Sequence, residues 1–549
     1  MTGRPLRVAD YLMARLADLG VRQLFLVPGG GAMYLDDAVA CETRLEPVPC
    51  HHEQACTMAA EGYTRISNRI GVACVTTGPG ATNTITGVIS AWVDSIPMLI
   101  ISGQVRRATM IPRQHGNPTL RQLGFQEINI VDIVRPVTKY AKTITNANAI
   151  RYELEKALYL ARAGRPGPVW LDIPLDIQRS EINPSRLKGF TAPAEKSVSL
   201  PMEKIIRMLQ QAKKPLLLVG NGVRLSSGVD ELRRFLGKTN INVVTAMSGD
   251  DLVNEDYPYY LGRQGMFSQP GANRVLDACD LLLSVGTRLS LMQTSFNYTK
   301  FAKYAYKIMV DVDASEMHKK ILDIDLPLVC DAKVFFEKLS KEVIALQRWD
   351  VPRMRNTYPK TKRYLSAYEF AEALSGVANW PIVTSNGIAS VCLHQMVRLK
   401  KNQRLMTNIG IGSMGAGLPM AIGACLASNR KPVICIEGDG SLMMNIQELE
   451  TVAFNKLPLK IFIFNNNGYH SIKMTQKNFG QKKFAADPAS GLGLPVWKRL
   501  IAGWGLKYYS IANAVQLKKL PAILKTPGPL VCEIILDPVQ PLIEKWLAS

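Results

Sequence analysis

The sequence predicts an α/β fold of three Rossmann-like domains, each built on a parallel sheet. Short apolar runs alternate with helical patterns along the whole chain, as strands joined by crossover helices do. The length of 549 residues suits about three domains at roughly 100–200 residues each. Two polar stretches divide the chain where domain linkers would lie.

In chain order, residues 8–19 read as an amphipathic helix, followed by strands at 23–27, 70–76, 98–102 and 169–173. These define a first domain at residues 1–177. The polar stretch 178–199 reads as a linker. A second domain, 199–345, opens with the apolar run 215–220, which ends at glycine, and continues with strands at 281–285 and 307–312. The charged, proline-containing stretch 347–362 is a second linker. The third domain, 366–549, has strands at 382–385, 432–437, 459–465 and 530–536. No short-period repeat or low-complexity segment interrupts this pattern.

Composition narrows the function. The apolar fraction of 47% and charged fraction of 20% are those of a folded globular protein. No apolar run approaches the roughly 18 residues of a membrane span. Residues 1–10 carry two arginines without a following apolar stretch, so no secretory signal is expected. The ten cysteines have no zinc spacing and read as reduced thiols, which makes the cytoplasm the expected location. The net charge of +21 is spread without a dense basic block, and no nucleic-acid motif is present. Anionic small molecules account for part of that charge.

The chemistry starts at Ile434-Cys435-Ile436-Glu437-Gly438-Asp439-Gly440-Ser441. An apolar strand runs into a glycine turn that lets backbone approach a phosphate. Residues 445–454 read as a helix, and the next strand ends in Asn465-Asn466-Asn467-Gly468. One crossover separates Asp439 from Asn466, which places both at the carboxyl edge of one sheet. A carboxylate and an amide oxygen are hard ligands suited to Mg²⁺.

A lone Gly-Asp-Gly turn is common, but the whole arrangement resembles the diphosphate motif of thiamine diphosphate enzymes. The first domain strengthens the resemblance. His51-His52-Glu53-Gln54-Ala55 and Ala59-Ala60-Glu61-Gly62-Tyr63 precede a strand and Thr77-Gly78-Pro79-Gly80-Ala81-Thr82-Asn83. These segments, with Phe125-Gln126-Glu127 and Gly164-Arg165-Pro166-Gly167-Pro168, resemble acetohydroxyacid (acetolactate) synthases in order along nearly the whole chain.

The resemblance implies site roles. Asp439, Asn466 and the Gly468 carbonyl would bind Mg²⁺. Gly438, Gly440, Ser441, Gly387 and Ser390 would contact the diphosphate, and Gly30, Gly78 and Asn83 would line the cofactor. Glu53 would hydrogen-bond N1′ of the aminopyrimidine and promote the imino tautomer that deprotonates C2. An apolar helical context would keep its carboxyl from ionising. Gly410-Ile411-Gly412-Ser413-Met414-Gly415-Ala416-Gly417 resembles the family's pyrimidine loop, with Gly412 and Met414 on the ring edge and Met414 wedging the cofactor into its bent form. Gln126 would sit near the reacting carbon.

The implied reaction is decarboxylation of a 2-oxo acid, pyruvate first, and ligation of the acyl carbon to a carbonyl acceptor. The alternatives are another thiamine diphosphate lyase, decarboxylase or acetyltransferase, and a non-catalytic homologue. In the family Glu comes from one subunit and the Mg²⁺ half from its partner, so a homodimer is the minimum and a tetramer is implied by analogy. The turns Gly220-Asn221-Gly222, Gly262-Arg263-Gln264-Gly265 and Gly286-Thr287-Arg288 only partly match the segments that carry FAD in the family, and leave FAD open.

Two stretches depart from the family. Tyr469-His470-Ser471-Ile472-Lys473-Met474-Thr475-Gln476 replaces the usual run after the Asn-Asn turn. It is expected to face the acceptor, with His470 as a proton carrier. Pro112-Arg113-Gln114-His115 and Arg121-Gln122-Leu123-Gly124 stand where the family has a Gly-Thr-Asp-Ala run. His115 reads either as a polar site residue or as a surface histidine. The short tail after Pro538 and the altered loop resemble acetolactate synthase-like enzymes of unusual-sugar and secondary metabolism.

Overall fold

The computed structural model describes residues 6–111, 120–194, 198–354, 356–361, 363–377 and 379–548. Buried aliphatic runs make most of its interior strands. They assemble into three six-stranded sheets, every one of them parallel. The fold class expected from the sequence is therefore the one observed. Among the described residues no helix is long and apolar enough to cross a membrane.

The first sheet contains β1 (Gln23–Leu26), β2 (Glu46–Pro49), β3 (Gly71–Val75), β4 (Met98–Gln104), β5 (Tyr140–Thr143) and β6 (Pro168–Pro174), in the order β2-β1-β3-β4-β6-β5. The second contains β7 (Pro215–Val219), β8 (Asn242–Ala246), β9 (Tyr260–Gln264), β10 (Leu281–Val285), β11 (Tyr306–Asp311) and β12 (Leu326–Val329), in the order β9-β8-β7-β10-β11-β12. That is the dinucleotide-fold order. The third contains β13 (Ile382–Thr384), β14 (Leu405–Met406), β15 (Val433–Gly438), β16 (Leu459–Asn465), β17 (Lys507–Ile511) and β18 (Leu530–Ile535), in the order β14-β13-β15-β16-β18-β17. The first and third sheets thus share one topology. The stretch 178–199 is not wholly a linker. Glu181–Ile182 pairs antiparallel with Leu6–Arg7 and ties the chain start to the end of the first domain.

Five helices position the site: α1 (Glu53–Ser67), α2 (Ile388–Met396), α3 (Gly417–Ala427), α4 (Glu448–Phe454) and α5 (His470–Asn478). The first and third domains share one hydrophobic core, in which Met58, Ala59 and Tyr63 of α1 meet Met420, Ala421 and Ala424 of α3. The two helices cross backbone to backbone. A Cβ on Gly62 would lie 2.1 Å from the Met420 carbonyl, and one on Gly423 would lie 1.8 Å from the Ala59 carbonyl.

Candidate active site

In the third sheet, β13 and β15 flank the point where the strand order reverses, and their carboxyl ends open one crevice. Ligands bind at such a switch point. Asp439 follows β15, and Asn466 follows the neighbouring β16, whose register pairs Gly438 with Phe464. Asp439 is buried, with Oδ1 accepting from the Gly440 N–H at 2.8 Å and Oδ2 from the Gly468 N–H at 2.9 Å. Burial pushes its carboxyl up to about 6 against these backbone bonds.

Asn466 Oδ1 is buried without a hydrogen-bond partner. An unpaired buried amide oxygen is costly unless something else binds it. Gly468 has φ 117°, and a Cβ there would lie 2.2 Å from the Ala486 carbonyl, so only glycine fits. Among the described residues no group of three His, Cys, Asp or Glu side chains could hold a metal. One carboxylate with amide and carbonyl oxygens suits Mg²⁺, which completes its shell with phosphate oxygens and water.

The glycine loop 410–417 is bonded to this turn. Ser441 Oγ accepts from the Gly415 N–H at 2.8 Å. Asn386 Nδ2 donates to the Gly412 carbonyl at 2.7 Å. Buried Glu437 accepts from the Leu418 N–H at 2.9 Å. Burial raises its carboxyl above the usual range, and the Ser441 and Ser385 hydroxyls oppose that rise. Met414 is half-buried, Gly387 precedes α2, and Ser390 is buried on its first turn. A Cβ on Gly440 would lie 2.2 Å from the Tyr469 ring, so packing alone requires glycine there.

The other half lies in the first domain. Glu53 is the first residue of α1, whose N-cap His52 accepts the Gln54 N–H at 3.0 Å. Asn83 Nδ2 donates to Glu53 Oε2 at 3.0 Å. In the single chain Glu53 is half-buried rather than sealed in apolar surroundings, because α1 starts at the sheet edge. Gly78 has φ 63°, and a Cβ on it would meet the Gln126 carbonyl at 2.5 Å. Gln126 is exposed at φ 63°, a strained conformation of the kind that collects at functional sites. Gly30 is exposed in the turn after β1, between Gly29 and Gly31, which pack on Thr76 and Thr77.

The comparisons with known proteins agree with this geometry. Residues 6–133 match the thiamine pyrophosphate enzyme N-terminal TPP binding domain, residues 202–339 the central domain and residues 385–534 the C-terminal TPP binding domain. The chain is 32% identical to the acetolactate synthase isozyme 2 large subunit of Escherichia coli, over 97% of this chain and 96% of that protein. It is 30% identical to the acetolactate synthase large subunit of Lactococcus lactis, over 100% and 96%. With the chloroplastic acetolactate synthase of Arabidopsis thaliana it shares 32% over 97% and 82%. This chain belongs to the thiamine diphosphate enzymes of the acetolactate synthase type.

In this acetolactate synthase-type enzyme, the segment after Asn466 is helical from His470 and folds back on the Asn466 turn. Lys473 Nζ donates to the Asn466 carbonyl at 3.0 Å and braces the turn that carries Asn466. Ser471 is exposed near Gly387, 3.6 Å from where a Cβ on that glycine would sit. His470 is only 3% exposed, beside the Gln540 carbonyl, and burial and Lys473 lower its pKa. Arg113, Gln114 and His115 lie outside the described residues. In the central domain, Asn221, Gly286 and Asp311 stand at the carboxyl ends of β7, β10 and β11 and line a cleft with Arg65, Asp94 and Arg288. Arg263, of the second glycine-rich segment (residues 262–265), is instead fully buried. It donates to the Val397 carbonyl at 2.7 Å and the His394 carbonyl at 3.2 Å, tying the central domain to the third.

Glu437, Asn386, Asn445 and Glu448 join the site without having been singled out in the sequence. Glu437 directly precedes the Gly-Asp-Gly turn, and that adjacency is a signal that could have marked it. The others are brought in by contacts between distant segments.

Proposed function

We propose that this enzyme decarboxylates a 2-oxo acid, with pyruvate as the donor, and ligates the acyl carbon to a carbonyl acceptor. Bound thiamine diphosphate supplies the carbon nucleophile for both steps. The observation that carries the reading is the Asp439–Asn466 pair at adjacent strand ends, with Asn466 Oδ1 buried and unpaired. These two, with the Gly468 carbonyl, would hold Mg²⁺. Gly387, Ser390, Gly438, Gly440 and Ser441 would hold the diphosphate. Gly412 and Met414 would orient the pyrimidine, and Gly30, Gly78 and Asn83 would close the first-domain side. Glu53 would exchange the proton at N1′. Gln126 would face the reacting carbon, and His470, whose pKa burial lowers, would carry a proton.

Glu53 has its side-chain hydrogen bond inside its own domain, to Asn83, and stays half-exposed. That supports a homodimer in which Glu53 completes the partner's site, with a tetramer as the further assembly. The central cleft is where FAD would bind. A flavin band between about 350 and 500 nm after reconstitution is expected if it does, and its absence after added FAD refutes it.

The deciding experiment incubates the holoenzyme with labelled pyruvate and a panel of 2-oxo acids, aldehydes and ketones, with mass spectrometry of the products. A labelled two-carbon unit on an acceptor supports ligation. Carbon dioxide release without any ligated product favours a simple decarboxylase. No consumption of any 2-oxo acid sinks the reading.

A further inference from the structure

The segment that launches Glu53 is held from another domain. The N–H of His51 donates to Glu448 Oε1 at 2.9 Å. Glu448 opens α4 of the third domain and is fully buried, at 0% exposure. Its second oxygen accepts the Thr451 hydroxyl at 2.7 Å, and the His52 backbone also faces the carboxyl. One helical turn earlier, Asn445 Nδ2 donates to Gln54 Oε1 at 3.1 Å and to the Gly415 carbonyl at 2.8 Å. The residues on both sides of Glu53 are therefore fixed by the turn 445–448 of the same chain.

A carboxylate is expensive to bury, and a buried one persists where its lone pairs are satisfied. Among the described residues no Lys or Arg is hydrogen-bonded to it. Its partners are a hydroxyl and the backbone of the two residues before Glu53. Those N–H groups belong to the turn that sets where α1 begins, and Glu53 is its first residue. A small rotation of that turn swings the Glu53 carboxyl, and misplacement by about 1 Å costs roughly 100-fold in rate.

We propose that Glu448 is a positioning residue for Glu53, setting the carboxyl geometry needed for proton exchange with the aminopyrimidine. The proposal rests on the reading of Glu53 as the cofactor's acid, and the experiment separates the two. Holoenzyme carrying Glu448→Met, Glu448→Gln, Glu53→Gln or Glu53→Gln with Glu448→Met is compared with the parent. Methionine fills much the same space without an acceptor, whereas glutamine keeps an oxygen for the His51 N–H. The readouts are the exchange rate of the thiazolium C2 proton, turnover, calorimetric affinity for thiamine diphosphate with Mg²⁺, and a thermal melt.

Glu448→Met is expected to slow C2-proton exchange and turnover by about 10- to 100-fold, the range of a displaced catalytic group. Cofactor affinity should hold within a few-fold. Glu448→Gln should recover most of the rate. In the Glu53→Gln background, Glu448→Met should cost little more. An equal loss in both backgrounds overturns the proposal, because Glu448 then acts by another route. So does a loss that follows cofactor affinity or the melt and is not rescued by glutamine. Should Glu53→Gln alone keep parental C2 exchange, the Glu53 reading itself fails, and the proposal falls with it.

Discussion

At the residue scale, the chemistry of the site depends on a few side chains whose partners are fixed by backbone. Glu53→Gln should keep fold and cofactor binding while turnover drops by about 10²-fold or more, the size of a lost acid–base group. Near-parental turnover in steady-state assays would remove Glu53 from its role. Lys473 reaches back to the turn that precedes it. Its ammonium spans from α5 back to the Asn466 carbonyl, and Asp439 attracts it while burial disfavours its charge. Lys473→Ala should therefore raise the Mg²⁺ concentration for half-maximal activity by roughly 5- to 30-fold, equivalent to about 1–2 kcal/mol for a hydrogen bond to a charged group. The ratio of carbon dioxide released to product ligated should stay constant across acceptors. A changed ratio at unchanged Mg²⁺ demand would return Lys473 to the acceptor pocket. The placement of Asp439 and Asn466 at adjacent strand ends was legible because one crossover spaces them. Glu448 and Asn386 were not, because their partners, His51 and Gly412, lie beyond any local pattern.

At the scale of elements, buried interior strands were read directly from apolar runs. The run 459–465 coincides with β16, and 281–285 with β10. Edge strands such as β2 and β17, half exposed and mixed in polarity, carry no such run and escape notice. So does β8, whose Asn-Val-Val-Thr-Ala is wholly buried despite two polar residues. The crossing of α1 and α3 was equally hidden, since a helix glycine by itself looks like a weak point. Here it is a contact: the Ala59 carbonyl occupies the space a Cβ on Gly423 would need. Gly423→Ala should force the helices apart and destabilise the pair of domains by about 1–3 kcal/mol, as overpacking does. A lower urea midpoint with reduced turnover is expected, since α1 begins at Glu53 and α3 follows Met414. An unchanged midpoint would mean that the helices separate freely.

At the scale of the whole molecule, three domains were legible from length and linkers, but the shared topology of the first and third was not, because strand order leaves no trace in residue patterns. Matching sheets, packed through one core, give each chain one Glu53 end and one Asp439 end. If each site joins Glu53 of one protomer to Asp439 of its partner, two inactive variants should rescue each other. A Glu53→Gln chain paired with an Asp439→Ala chain forms one site with both defects and one with neither. After unfolding-free exchange at equal concentrations, about half the dimers are mixed and carry one intact site of two, so activity should return to roughly a quarter of the parent's, as two-fold symmetric mixing requires. Each variant alone should stay inactive at every concentration. If instead one chain supplies both ends of its own site, every site in the mixture keeps a defect, and no activity returns however long the exchange is allowed to run.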